Sequence, residues 1–171
     1  MVKLIGAALI LIASTWIGFE ISRHLSQRPK QLRLFRTALQ ALEAEIMYGH
    51  APLQEAAVRL SKSLPKPINI FFRTFAKQLQ LQDTNVKTAW DTSLEETKKV
   101  LALKQNEIEI LLQFGETLGR HDRYQQQKQI ALTMTHLERE ESEALQVQSK
   151  YEKMVKSLGF LTGLLLIILL V

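Results

Sequence analysis

His136 and Glu140 lie four residues apart, a spacing that puts both on one face of a helix within reach of a shared metal ion. The other ligands such a site needs are not identifiable, because His24, His50 and His121 are scattered singly. Such a pair is more often part of a solvated face. The chain has no cysteine, which excludes thiolate zinc sites, and no H-E-x-x-H pattern. It also has no G-x-x-x-x-G-K-[ST] loop to cradle a nucleotide phosphate. Scattered serines and carboxylates assemble into no recognisable triad. No catalytic residue, cofactor or metal is therefore assigned, and an enzyme is the weaker expectation.

Two segments carry chemistry suited to recognition. Glu45, Tyr48, Gly49, His50, Pro52 and Leu53 surround one turn, and Phe114, Gly115, Glu116, Leu118 and Gly119 another. Each mixes charged and aromatic residues, as interface hot spots do. They are candidate partner-binding residues, against the alternative that they only shape the turns. A glycine inside a helix costs roughly 1 kcal/mol relative to alanine, so Gly115 implies close packing, either internal or against a partner.

The elements that would hold these segments are all helical. Pro29 suits a first helical turn, and Leu32, Phe35, Leu39, Leu42 and Ile46 then recur at bundle spacing. Gly49 stops that helix and Pro52 starts the next, which must end by Leu64 because Pro65 and Pro67 follow. A third helix from Ile68 buries Phe71, Phe72, Phe75 and Leu79. Residues 83–85 form a polar break and offer caps for a fourth, which carries Val86, Ala89, Trp90 and Leu94. A fifth uses Ile108, Leu111, Leu112 and Leu118 and closes at Gly119. From Asp122, a plausible N-cap, no Gly or Pro interrupts the chain until Gly159. One unbroken sixth helix is expected, on a heptad seam interrupted by Glu141 and Gln148. No strand-like alternation is present.

Charge is distributed unevenly. All 17 acidic residues, and all of the 22 basic ones except Lys3, lie between two uncharged apolar runs, Leu4 to Phe19 and Ser157 to Val171. Lysine snorkelling extends both toward the roughly 20 residues a spanning helix needs. A cleaved signal peptide is the alternative for the first run, but Trp16, Phe19 and Glu20 follow with no clean small-residue site. The expected organisation is a membrane helix over 1–22, a helical bundle over 23–153 and a second membrane helix over 154–171. Arg23, Arg28 and Lys30 flank the first run and Lys153 and Lys156 the second, where they would contact lipid headgroups. These charges place the bundle in the cytoplasm. They abut the membrane, so they are not read as a nucleic-acid surface. Gly159 and Gly163 form a G-x-x-x-G, and Ser14 and Gly18 a weaker small-residue pair, both suited to close packing between membrane helices.

Longer phrases add a resemblance. Glu45-Ile46-Met47-Tyr48-Gly49-His50-Ala51-Pro52-Leu53, Phe114-Gly115-Glu116-Thr117-Leu118-Gly119-Arg120-His121-Asp122 and Lys150-Tyr151-Glu152-Lys153-Met154-Val155-Lys156-Ser157-Leu158-Gly159-Phe160 resemble the stage III sporulation protein AB family of endospore-forming bacteria. Lys3-Leu4-Ile5-Gly6-Ala7 and Trp16-Ile17-Gly18-Phe19-Glu20 extend the likeness to nearly the whole chain, and residues 80–105 match least. The resemblance implies a subunit of the channel between mother cell and forespore, located in the mother-cell membrane. Its implied partners are other channel membrane proteins and a secretion-type ATPase. It also implies a six-helix domain similar to that of the inner-membrane platform proteins of type II secretion. Those platforms carry two such domains and this chain one, which leaves open whether a homodimer makes up the second. A membrane-tethered scaffold without a motor partner is the alternative function.

Overall fold

In the computed structural model, residues 26–45, 48, 52–81, 84–118 and 123–170 are described, except for the side chains of 123, 156, 159, 160 and 162–170. Six helices and no strand appear among them. A first helix covers residues 26–45 (α1). It is followed by α2 (Leu53–Ser63), α3 (Ile68–Gln78), α4 (Val86–Thr97), α5 (Gln105–Thr117) and α6 (Arg123–Leu170). The expected all-α class and the unbroken sixth helix are both present.

Local chemistry sets the boundaries. Pro52 precedes α2, and its carbonyl accepts from the Glu55 amide at 2.9 Å. The α2 helix stops before Pro65, which cannot supply the next helical donor. The Asn85 side chain caps α4 by accepting from the Thr88 amide at 2.8 Å. At the start of α5, Glu107 reaches back to accept from the Lys104 amide at 2.6 Å and so satisfies a donor at the helix start.

The chain divides into two compact units, one of Arg28–Ser142 and one that groups Met1–Gln27 with Glu143–Val171. In the first, α2 packs on α3, α3 on α4 and α4 on α5. Its centre is aromatic. Phe71 meets Phe35 at 5.5 Å between ring centroids and Trp90 at 4.8 Å, and Trp90 meets Phe75 at 5.0 Å and Phe114 at 5.2 Å. Trp90 takes its neighbours edge-on, the arrangement that ring quadrupoles favour, and all five rings are buried. The indole Nε1 donates to the Leu111 carbonyl at 2.8 Å, so the ring cannot rotate without leaving a buried donor unpaired. Trp90 thereby joins α3, α4 and α5, and Phe71 carries the cluster on to Phe35 of α1.

Among the described residues, no helix is long and apolar enough to cross a membrane. The first apolar run lies outside the described residues, and so do most side chains of the second.

Candidate functional site

The bundle has two chemically different ends. At the first, Arg28 of α1 lies beside the start of α5. Arg28 Nε donates to Glu107 Oε1 at 2.7 Å, and its Nη2 reaches Glu140 Oε2 on α6 at 3.3 Å. Asn106 Nδ2 donates to the same Glu140 oxygen at 2.7 Å. Glu107 is fully buried, and Arg28 and Glu140 nearly so. One turn along, Arg33 and Arg36 each donate to Glu141 at 2.8 Å. The Gln31 Oε1 accepts from the Ala102 amide at 2.7 Å, which ties in the loop between α4 and α5. A buried ion pair adds little net stability over an apolar isostere, but it penalises every alternative helix register by stranding charge.

This corrects one expectation. Arg28, placed by its position near the first apolar run at lipid headgroups, is committed to two carboxylates inside the bundle. Lys30 and Lys153 are solvent-exposed, while Arg23 and the Lys156 side chain lie outside the described residues. Ser14 and Gly18 are outside them too, and Gly159 and Gly163 are described only as backbone in α6. The seam-breaking Glu141 is buried against Arg33 and Arg36 rather than facing solvent. His136 is exposed, whereas Glu140 is held by Arg28 and Asn106. Among the described residues no cluster of three metal-ligating side chains occurs.

The described residues of the two expected recognition segments lie toward the opposite end, around Glu45 of α1 and the C-terminus of α5. Tyr48 is 78% exposed. Glu45 forms a two-pronged pair with Arg59, at 2.6 and 3.0 Å, that clamps the end of α1 to α2. The hydrogen bonds that Arg59 donates to Glu45 raise the guanidinium above its ordinary pKa, and the charges of Glu45 and Glu55 add to this. Pro52 is exposed and Leu53 half-buried. Gly49, His50 and Gly119 are outside the described residues.

The second segment divides. Glu116 projects outward, 61% exposed, with Lys87 Nζ at 3.9 Å. Phe114, Gly115 and Leu118 are corrected from partner-binding to core residues. Phe114 is packed on Trp90, Leu118 is 2% exposed, and a Cβ on Gly115 would overlap Trp90 Cδ1. Gly115 is thus required by internal packing against a held ring. The structure gives the segments separate partners: Glu45 is bound to α2 and Glu116 lies beside α4.

Fold and site together define an all-helical bundle protein whose outward chemistry is that of aromatic and charged surface groups. The model of the stage III sporulation protein AB family matches residues 3–171, and the chain belongs to that family. It is 54% identical over 170 residues to stage III sporulation protein AB of Bacillus subtilis (strain 168), covering 99% of each. A solved structure of stage III sporulation protein AB superposes with a TM-score of 0.70 at 50% identity, covering 72% of this chain and 98% of that one.

Proposed function

We propose that this chain acts in sporulation as a non-enzymatic membrane platform subunit of the channel between mother cell and forespore. In this reading the bundle is cytoplasmic, residues 1–22 and 154–171 span the mother-cell membrane, and the bundle couples a secretion-type ATPase to the channel. The observation that carries the sporulation role is the family match, which includes both apolar termini. The uncharged runs and their basic flanks support the membrane placement. The platform-like domain that the family resemblance implies is the ground for the coupling role.

Topology is checked by a single cysteine. Gln80 is exposed and the chain has no native cysteine. Gln80→Cys is expected to resist a membrane-impermeant thiol reagent in intact mother cells and to react after lysis. Labelling in intact cells would overturn both the orientation and the ATPase coupling.

The partner surface is checked at Tyr48 and Glu116, the outward members of the two segments. Tyr48→Ala and Glu116→Ala are each expected to change stability by no more than about 0.5 kcal/mol, as solvent-facing substitutions do. Both are expected to lower spore yield and to reduce co-purification of a hexameric ATPase. Unfolded variants, or folded variants that sporulate normally, would remove these residues from the site. Normal partner loss without an ATPase among the lost proteins would favour the scaffold function instead.

A further inference from the structure

We propose that the loop between α4 and α5, residues 98–104, is a lipid-contacting element that rests on an anionic membrane surface. The inference depends on the two-span reading for its biological setting. Its sequence is Lys98-Lys99-Val100-Leu101-Ala102-Leu103-Lys104. Lys98, Lys99 and Lys104 are exposed, and Val100 is 51% exposed at the tip.

The loop is held in a defined shape. The Val100 and Leu101 amides donate to the Thr97 carbonyl at 2.9 and 3.3 Å. Leu101 is buried as an anchor, and the Ala102 amide is fixed by Gln31. Lys104 leads into α5 through the Glu107 capping contact. These contacts put the loop beside Gln31 of α1 and at the start of α5, where Arg28 meets Glu107 and Asn106 meets Glu140 of α6. That is the end of the Arg28–Ser142 unit at which the chain enters and leaves it.

Charge complementarity selects the occupant. Lys30 on the first turn of α1 is exposed and adds a fourth cation to this end. Glu95 opposes Lys98 only at 3.9 Å and is itself 75% exposed. An apolar residue flanked by lysines suits a headgroup layer, which takes the ammonium groups at phosphate level and the side chain of Val100 beneath them. Each lysine near such a surface contributes about 1 kcal/mol, or roughly fivefold in binding.

The test uses the full-length chain, whose lack of cysteine makes single labels unique. A polarity-sensitive fluorophore is placed at V100C or at L81C. Leu81 is 52% exposed and precedes α4, while Val100 follows it, so a 12-residue helix about 18 Å long lies between the two labels in the chain. The chain is reconstituted in phosphatidylcholine vesicles with and without phosphatidylglycerol, each doped with a lipid-borne quencher. The V100C label is expected to be quenched several-fold more than the L81C label, and more strongly with phosphatidylglycerol. The variant K98E/K99E is expected to lose that excess while keeping its helix content by circular dichroism.

Equal quenching at the two sites, or quenching indifferent to phosphatidylglycerol and to K98E/K99E, overturns the proposal. A blue shift at V100C that follows protein density rather than lipid charge assigns the loop to a second copy and also overturns it. Alkaline carbonate extraction reads the spans separately. Release of the chain would sink the two-span reading and leave the comparison between V100C and L81C standing on its own.

Discussion

Glu107→Ala is expected to destabilise the bundle by about 3–5 kcal/mol, the range for removing one partner of a buried pair. The carboxylate accepts three contacts and is fully buried. Its Oε1 takes Arg28 Nε at 2.7 Å and Nη2 at 2.6 Å, and its Oε2 takes the Lys104 amide at 2.6 Å. Alanine leaves the Arg28 guanidinium with Glu140 at 3.3 Å as its remaining carboxylate and removes the cap of α5. Lost capping alone costs about 1 kcal/mol. For a bundle of this size the sum corresponds to a fall in melting temperature of about 15 °C or more. Melting is followed on the full-length chain by circular dichroism. The triple replacement Arg28→Met, Glu107→Leu, Glu140→Leu should recover most of the loss, since a cluster exchanged whole for apolar groups strands no charge. A Glu107→Ala melting point near that of the parent would show that the network carries no such penalty.

Gly115→Ala is expected to change sign with its neighbour. In the parent chain the new Cβ overlaps Trp90 Cδ1, and the ring is held by four aromatic neighbours and the Leu111 carbonyl. Overpacking a rigid site costs about 1–3 kcal/mol. In a Trp90→Ala background the obstruction is gone, and the same substitution should stabilise by up to about 1 kcal/mol through helix propensity. Trp90→Ala itself should cost about 3–5 kcal/mol, as large aromatic truncations do. The double-mutant cycle in chemical denaturation measures the coupling directly. Additive effects would mean that the glycine answers to something other than Trp90.

Features governed by neighbours in the chain were legible before the structure. The start of α3 at Ile68, the Asn85 cap and the inward faces of Phe71, Phe72 and Phe75 follow from local rules, and all are present. The errors came from distant partners. Arg28 reads as a headgroup ligand until Glu107, 79 residues on, and Glu140, 112 residues on, are seen around it. Phe114 beside a glycine reads as a hot spot or as core with equal ease, and only the position of Trp90 on α4 decides. The loop at 98–104 lay in the least matched stretch, where its place next to α1 depends on the Gln31 contact 71 residues away. Tyr48 and Glu116 are as exposed as their mixed surroundings implied.

The spacing of the ion network along the chain also gives it an order in time. Translation proceeds at about 5–20 residues per second, so Arg28 waits on the order of 10 s between its own synthesis and that of Glu140. Glu107, 79 residues downstream, emerges earlier and is the first carboxylate able to neutralise it. A nascent chain that has completed α5 can therefore close the Arg28–Glu107 pair, while Asn106 still lacks its acceptor. The last step is the arrival of the middle of α6, which supplies Glu138, Glu140 and Glu141 together for Arg28 and Arg36. A chain that ends before Glu138 therefore already holds the acidic partner of Arg28 on α5 but lacks every carboxylate that pairs with Arg33 and Arg36.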